Sequence, residues 1–253
     1  MTSSLVGSEM CIRDMESTDW FSVTDAKRDE LAMEAINEVI DEYAGFGIFD
    51  TAESQHSISH MKAVFKQTVW ALTTQIRRGS FVPERFEFSF YESLDMANDV
   101  TVDIKGRVDR TDTYTDEGRL FVKVLDYKSG NTVFDLVKLY YGTQLQLAVY
   151  MDAVMEQKKE ALKQVSVEPG GMLYYHIDDP VIDLKDVTPG TELSEEEINQ
   201  MILKKLKPDG LINSDEKAYR GMDRDFEKSS DVIPVTLKTV SYTHLRAHET
   251  RRH

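Results

Sequence analysis

A chain of 253 residues, 41% apolar and 30% charged, can bury the core of one large domain or two small ones, and this composition excludes wholesale disorder. No apolar run approaches the roughly 20 residues of a membrane-spanning helix, and the start lacks the residue order of a secretory leader. A formal charge of −15 argues against unaided binding of a polyanion, and a single cysteine rules out an internal disulfide framework, which fits a cytoplasmic setting.

The two ends share an unusual relation. The codons GAG ATG TGT ATA AGA GAC encode Glu9, Met10, Cys11, Ile12, Arg13 and Asp14. Extending that strand by AG, taking its reverse complement and reading the third frame gives Val240, Ser241, Tyr242, Thr243, His244 and Leu245. One inverted repeat thus accounts for both ends, and it resembles the end sequence that transposase-based sequencing kits attach to DNA fragments. Residues 1–14 and 240–253 are therefore expected to be foreign tails around a native segment, 15–239, that is cut at both sides. The tails contribute −1 and +2, so the native segment carries −16 and, without Cys11, no cysteine.

From Thr24 to Tyr43, Leu31, Met33, Ala35, Ile36, Val39 and Ile40 fall mostly at helical spacing. Thr24 or Asp25 can cap this helix, and Gly45 and Gly47 end it. A second helix is predicted over about 57–78, with a stripe of Met61, Val64, Phe65, Val69, Leu72 and Ile76 and basic Arg77 and Arg78 in its last turn. His56 and His60 near its start have no third ligand close by and read as exposed polar residues. The period then changes to two over 85–90, 100–113 and 119–128, which predicts three strands. Leu145, Leu147, Ala148, Met151 and Val154 restore a helical period to about Leu162. A strand follows over 172–177, and Ser194 with Glu197 forms a capping box for a helix to about Leu206. The stretch 211–239 reads as irregular, with a short strand near 232–237. This order predicts an α/β fold with a mixed central sheet flanked by helices.

The hairpin carries the chemistry. If Glu117 and Gly118 form a two-residue turn, residues paired across it have numbers that sum to 235. Asp116 then faces Arg119, and Asp109 faces Asp126, with Cβ atoms about 5 Å apart on one face. Lys128 lies on that face too, two residues beyond Asp126, and a register slip of one residue would reverse the faces. Opposed carboxylates repel unless a cation neutralises them, and a hard ion such as Mg²⁺ takes one or two carboxylates plus waters and phosphate oxygens. A lysine beside it can orient a nucleophile or stabilise transition-state charge. The short pattern Asp-x-Lys by itself is common and fits an ordinary solvent-facing ion pair equally well.

The wider pattern is more specific. Gly106-Arg107-Val108-Asp109-Arg110, then Asp126-Tyr127-Lys128-Ser129-Gly130, then Tyr140-Tyr141-Gly142 with Gln146 and Tyr150 resemble the RecB-like PD-(D/E)XK nucleases. Within that family the chain is similar to the B subunit of AddAB-type helicase–nucleases, a likeness that Tyr174 to Pro180 and Asp231 to Val235 share. The resemblance implies a restriction-endonuclease-like fold and Mg²⁺-dependent DNA hydrolysis behind a helicase partner of the AddA type, in double-strand break repair. It implies Asp109, Asp126 and the carbonyl of Tyr127 as metal ligands and Lys128 as the catalytic lysine. It also implies Gln146 and Tyr150 as catalytic residues, since they match the family's Gln-x-x-x-Tyr motif on one helical face, with a half-buried core tyrosine as the alternative reading of Tyr150.

Some family features are missing. The histidine that the family places near the metal should lie upstream of Met15, and His56, His60 and His176 are poor substitutes; Glu87 is a weak candidate for a further acidic group. The iron–sulfur cluster implied for the full-length subunit would need cysteines that this chain does not carry. No Walker-type phosphate loop is present, which assigns ATP chemistry elsewhere in a complex. Two rival readings stand beside the nuclease: a non-catalytic binding or scaffold module of the same fold, and a stand-alone RecB-like exonuclease of the CRISPR-associated type.

Overall fold

The computed structural model describes residues 18–44, 51–96, 100–182 and 193–237. The expected foreign tails, Gly45 and Gly47 lie outside the described residues. In chain order the elements are α1 (Asp25–Ala44), α2 (Ala52–Arg78), β1 (Val82–Met96), β2 (Val100–Asp116), β3 (Arg119–Lys128) and α3 (Leu136–Tyr140). There follow α4 (Gln146–Ala161), β4 (Ser166–His176), α5 (Glu195–Lys205), β5 (Asp209–Ile212) and α6 (Glu216–Met222).

The fold is α/β, as the order of elements predicts: a mixed five-stranded sheet, β1-β2-β3-β4-β5, flanked by helices. All neighbours are antiparallel except β3 and β4, which run parallel because α4 carries the chain back between them. β3 is central and buried along nearly its whole length. Its even residues Leu120, Val122 and Val124 pack with Leu147, Met151 and Val154 of α4. Its odd residues face the other layer, where Phe121 meets Leu203, Ala218 and Met222, and Leu125 and Tyr127 meet Leu72 of α2. α1 lies on α2 through Ile36, Phe65, Val69 and Ile76, and Phe86 of β1 joins that cluster.

Local chemistry explains the ends of these elements. Thr24 accepts from the Lys27 amide at the start of α1, as expected of a cap. α2 begins at Ala52, five residues before the predicted start, because Thr51 and Ser54 make a reciprocal capping box. Ser194 and Glu197 form the predicted box on α5. The hairpin turn has Glu117 at φ 46 and Gly118 at φ 79, the left-handed pair of a type I′ turn. The register Asp116↔Arg119 to Arg110↔Leu125 keeps the predicted sum of 235.

Other expectations are corrected. The strand predicted at 85–90 spans Val82–Met96, and β4 starts at Ser166 rather than 172. The stretch 211–239 is not wholly irregular: it contains half of β5 and all of α6, a helix too short to show a period but capped by Asp215. The strand expected near 232–237 is reduced to one bridge, Ser229↔Thr236.

The inner strands do not alternate cleanly. In β2, Arg110 and Asp112 belong to the α2 side, where Arg110 Nη1 donates to the Tyr127 hydroxyl at 3.4 Å. Val108, only two residues before Arg110, packs instead in the α4 cluster. In β1, Phe86 joins the α1–α2 cluster while Phe88 and Phe90 join that of α4. Both strands exchange faces at one level, since Phe86 pairs with Arg110 and Phe88 with Val108. Between them lie Glu87, at φ 46, and Asp109. A left-handed backbone at a non-glycine residue costs of order 1–3 kcal/mol and persists where its surroundings hold it.

Candidate active site

The face exchange positions the first carboxylate. At Asp109 the β2–β3 ladder gives way, and the Tyr127 amide donates to Asp109 Oδ2 at 2.8 Å. A side-chain oxygen thus takes the place of a backbone acceptor and draws the carboxylate into the opening between the strands. Asp126, on β3, is buried, with Oδ1 accepting from Gln146 Nε2 at 2.9 Å. Lys128 Nζ stands 2.5 Å from Asp126 Oδ2, but that oxygen has no hydrogen bond of suitable angle. The contact is one of charge, and the buried oxygen keeps a lone pair for another partner.

Gln146 joins the remaining groups. Its Oε1 accepts from Lys128 Nζ at 2.9 Å, and its Nε2 also donates to the Tyr150 hydroxyl at 2.9 Å. Both residues lie on α4 one turn apart, so the helix sets one spacing against β3 and fixes three side chains. Tyr150 packs edge-on against Phe90 with ring centroids 5.8 Å apart. Gly106 makes room for that pair: a Cβ there would lie 2.7 Å from the Phe90 ring and 3.1 Å from Tyr150.

Charge is crowded here. Burial pushes the Asp109 carboxyl up to about 6, and the Asp126 charge adds to it, against opposing pulls from the Tyr127 amide, Lys128 and Arg107. Burial also raises Asp126, with Lys128 opposing. The Tyr150 hydroxyl is raised by burial and by both carboxylates, although its bond from Gln146 works the other way. Two desolvated carboxylates that repel, one with an oxygen in charge contact with Lys128 but without a well-angled hydrogen bond, suit a hard cation. Among the described residues no three His, Cys, Asp or Glu side chains gather as a metal-binding group. An ion here would depend on two carboxylates together with backbone, water and substrate oxygens, the mixture that Mg²⁺ accepts.

The structure brings together Asp109, Asp126, Lys128, Gln146 and Tyr150. The side chain of Tyr127 is buried on the opposite face, 5.9 Å from Tyr175, so its backbone alone faces the cluster. Glu87 comes level with Asp109, but its Oε2 lies 3.5 Å from Arg107 Nη1, while Oε1 is buried without a hydrogen bond. His60 lies 3.7 Å from Asp179, and His176 Nδ1 contacts the Gly130 carbonyl at 3.2 Å, although His176 pairs with Lys128 across β3 and β4.

Three features escape sequence reasoning. Tyr174 lies opposite Asp126 on β4, with its ring 5.3 Å from Lys128 Nζ; a parallel register has no turn residue to announce it. Gln144 ties a loop by accepting from the Asp135 amide and donating to the Val133 carbonyl. Arg110 has no access to a ligand. It is fully buried and grips Asp112 with Nε at 2.6 Å and Nη2 at 2.8 Å, while Lys123 Nζ lies 2.7 Å from the same carboxylate.

Comparison with known proteins adds a family. A family model described as the PD-(D/E)XK nuclease superfamily matches residues 17–240. A protein of Alkaliphilus metalliredigens, named as the B subunit of an ATP-dependent helicase/deoxyribonuclease, is 35% identical over 232 residues, covering 88% of this chain and 19% of its own length. The protein of the same name from Acetivibrio thermocellus is 34% identical over 232 residues, with 89% and 19% covered. That from Clostridium botulinum strain Hall is 35% identical over 210 residues, with 80% and 18% covered. The chain thus spans about a fifth of the length of the curated relatives it matches.

Proposed function

Since the chain belongs to the PD-(D/E)XK nuclease superfamily, we propose that it forms the Mg²⁺-dependent deoxyribonuclease centre of a larger helicase–nuclease subunit. The observation that carries this reading is the Asp109, Asp126, Lys128 and Gln146 constellation, in which two repelling carboxylates face a lysine held by a fixed amide. Asp109, Asp126 and the Tyr127 carbonyl would hold the metal. When bound, the ion supplies Lewis acidity and lowers the pKa of a coordinated water.

The protein's own groups do the rest. Lys128 presents a compact positive charge to the attacked phosphate and its nucleophile. Gln146 fixes the ammonium by accepting one of its protons, and holds Asp126 and Tyr150 by donating. The Tyr127 amide keeps Asp109 in the gap between strands. The relatives are named as B subunits of an ATP-dependent helicase/deoxyribonuclease, which supports a partner subunit; we take that partner to be a helicase of the AddA type and the setting to be double-strand break repair. A chain with one cysteine cannot hold the iron–sulfur cluster proposed for the full-length subunit, so no step is assigned to it. Among the described residues no helix is long and apolar enough to cross a membrane. The test is cleavage of linear DNA by the full-length protein with its partner. Asp126→Ala should abolish Mg²⁺-dependent hydrolysis; equal rates for variant and wild type would end the catalytic reading and favour a scaffold module.

A further inference from the structure

The stretch between Lys128 and Gln146 leaves the site and returns to it. Its ends meet at the Lys128 Nζ to Gln146 Oε1 contact of 2.9 Å, so the loop stands on the rim of the catalytic cluster. It is a built loop. Gln144 closes it through the Asp135 amide at 2.8 Å and the Val133 carbonyl at 3.0 Å, and Asp209 Oδ2 accepts from the Phe134 amide at 2.6 Å. Phe134 packs into the α4 core, whereas α3 buries no residue at all.

This scaffold displays apolar groups outward. Tyr140 and Tyr141 are 84% and 73% exposed, with rings 5.3 Å apart and nearly perpendicular, and Leu136 and Val137 are exposed beside them. Burial cannot explain such a cluster, and its place on a loop that leaves from Lys128 and returns at Gln146 suggests a ligand. The ligand's sign comes from the nuclease reading, whose substrate is a polyanion, and the loop's charge admits it: residues 129–145 carry Lys138 against Asp135, a net of zero in a chain of −15. Asp135 is also engaged within the loop, accepting from the Val137 and Lys138 amides as the cap of α3.

A polyanion with flat apolar faces is an unpaired nucleic-acid strand. We propose that Tyr140 and Tyr141 form a stacking platform for bases of the single strand entering or leaving the site. This rests on the nuclease reading and specifies where its substrate is held. Bases that are paired in a duplex present no free face to these rings, so the platform prefers unpaired strands. Its residues bind substrate and take no part in bond breaking.

The test uses the whole chain in EDTA at low salt, with a fluorescein-labelled oligothymidylate, the same sequence as a duplex, and an oligonucleotide carrying 2-aminopurine. Each of Tyr140→Ala and Tyr141→Ala should weaken single-strand affinity by about 5- to 150-fold, the range for one lost stack, and abolish the quenching of 2-aminopurine. Tyr140→Phe and Tyr141→Phe should retain both, and duplex affinity should change little. Equal behaviour of wild type and the double alanine variant, whether both bind or neither does, overturns the proposal. So does a changed sedimentation coefficient with unchanged oligonucleotide binding, which would mark the rings as a protein contact. Asp126→Ala separates the two readings: hydrolysis unaffected by it would sink the nuclease, while tyrosine-dependent binding would stand.

Discussion

Replacing Asp109 with asparagine should make the metal-free protein more stable while destroying its response to metal. The side chain keeps an oxygen for the Tyr127 amide, so the substitution removes charge with little change of shape. Folding lifts the Asp109 carboxyl from an ordinary 3.8 to about 6. At about 1.36 kcal/mol per unit, this shift costs about 3 kcal/mol as a ceiling, and roughly 1–2 kcal/mol once solvent at this half-buried group screens it. A carboxyl raised on folding binds its proton more tightly in the native chain than in the unfolded one. Its charge therefore costs stability above the folded value, and that cost fades as pH falls from about 6 toward 3.8. The gain from Asp109→Asn should be full near pH 8 and smaller below pH 6. For a domain of this size it corresponds to a rise in Tm of about 2–8 °C. Thermal and urea unfolding in EDTA at the two pH values, repeated with Mg²⁺, measures every part of this. Wild type should gain stability from the ion and the variant should not. A variant no more stable than wild type in EDTA near pH 8 would show that the site stores no charge repulsion.

Lys128→Ala should keep the metal-dependent rise in Tm yet lose most turnover; loss of both would make the lysine a structural partner of Asp126. Gln146→Ala frees the Lys128 ammonium and the Tyr150 hydroxyl together, so kcat should fall by about 10- to 100-fold with little change in KM, as measured by steady-state cleavage. Asp112→Asn leaves Arg110 and Lys123 buried without their shared counter-charge and should cost about 3–5 kcal/mol in denaturant unfolding; a change below 1 kcal/mol would refute that account. Deleting residues 1–14 and 240–253 should leave the thermal midpoint unchanged, and a clear drop would make those ends part of the fold.

How far the sequence speaks depends on how local the signal is. The Glu117–Gly118 turn sets its register by backbone conformation, and that one feature places Asp109 near Asp126 and Lys128 before any coordinates. Gln146 and Tyr150 are legible for a similar reason, since one turn of helix fixes their separation. The exchange of faces at Glu87 and Asp109 is illegible. Alternation is the assumption by which strands are read, and nothing in the residues Phe86, Glu87 and Phe88 marks a left-handed φ. The parallel pairing that sets Tyr174 against Asp126 depends on where α4 returns the chain, a tertiary choice. α3 and α6, of five and seven residues, are too short for any period and become visible through the caps Asp135 and Asp215.

The run from Gly106 to Arg110 looks like one motif, but it divides between two selective pressures. Gly106 and Asp109 belong to the side of the proposed catalytic cluster, and Arg110 to a buried ion cluster on the other face of the sheet. Neighbours in sequence should therefore part company in a mutational scan. Variants at Asp109 should accumulate as well-expressed, inactive protein, while variants at Arg110 or Asp112 should vanish from the soluble fraction before any activity can be scored. A survey that reads activity alone would rank these positions as equals, and one that also reads abundance would tell them apart.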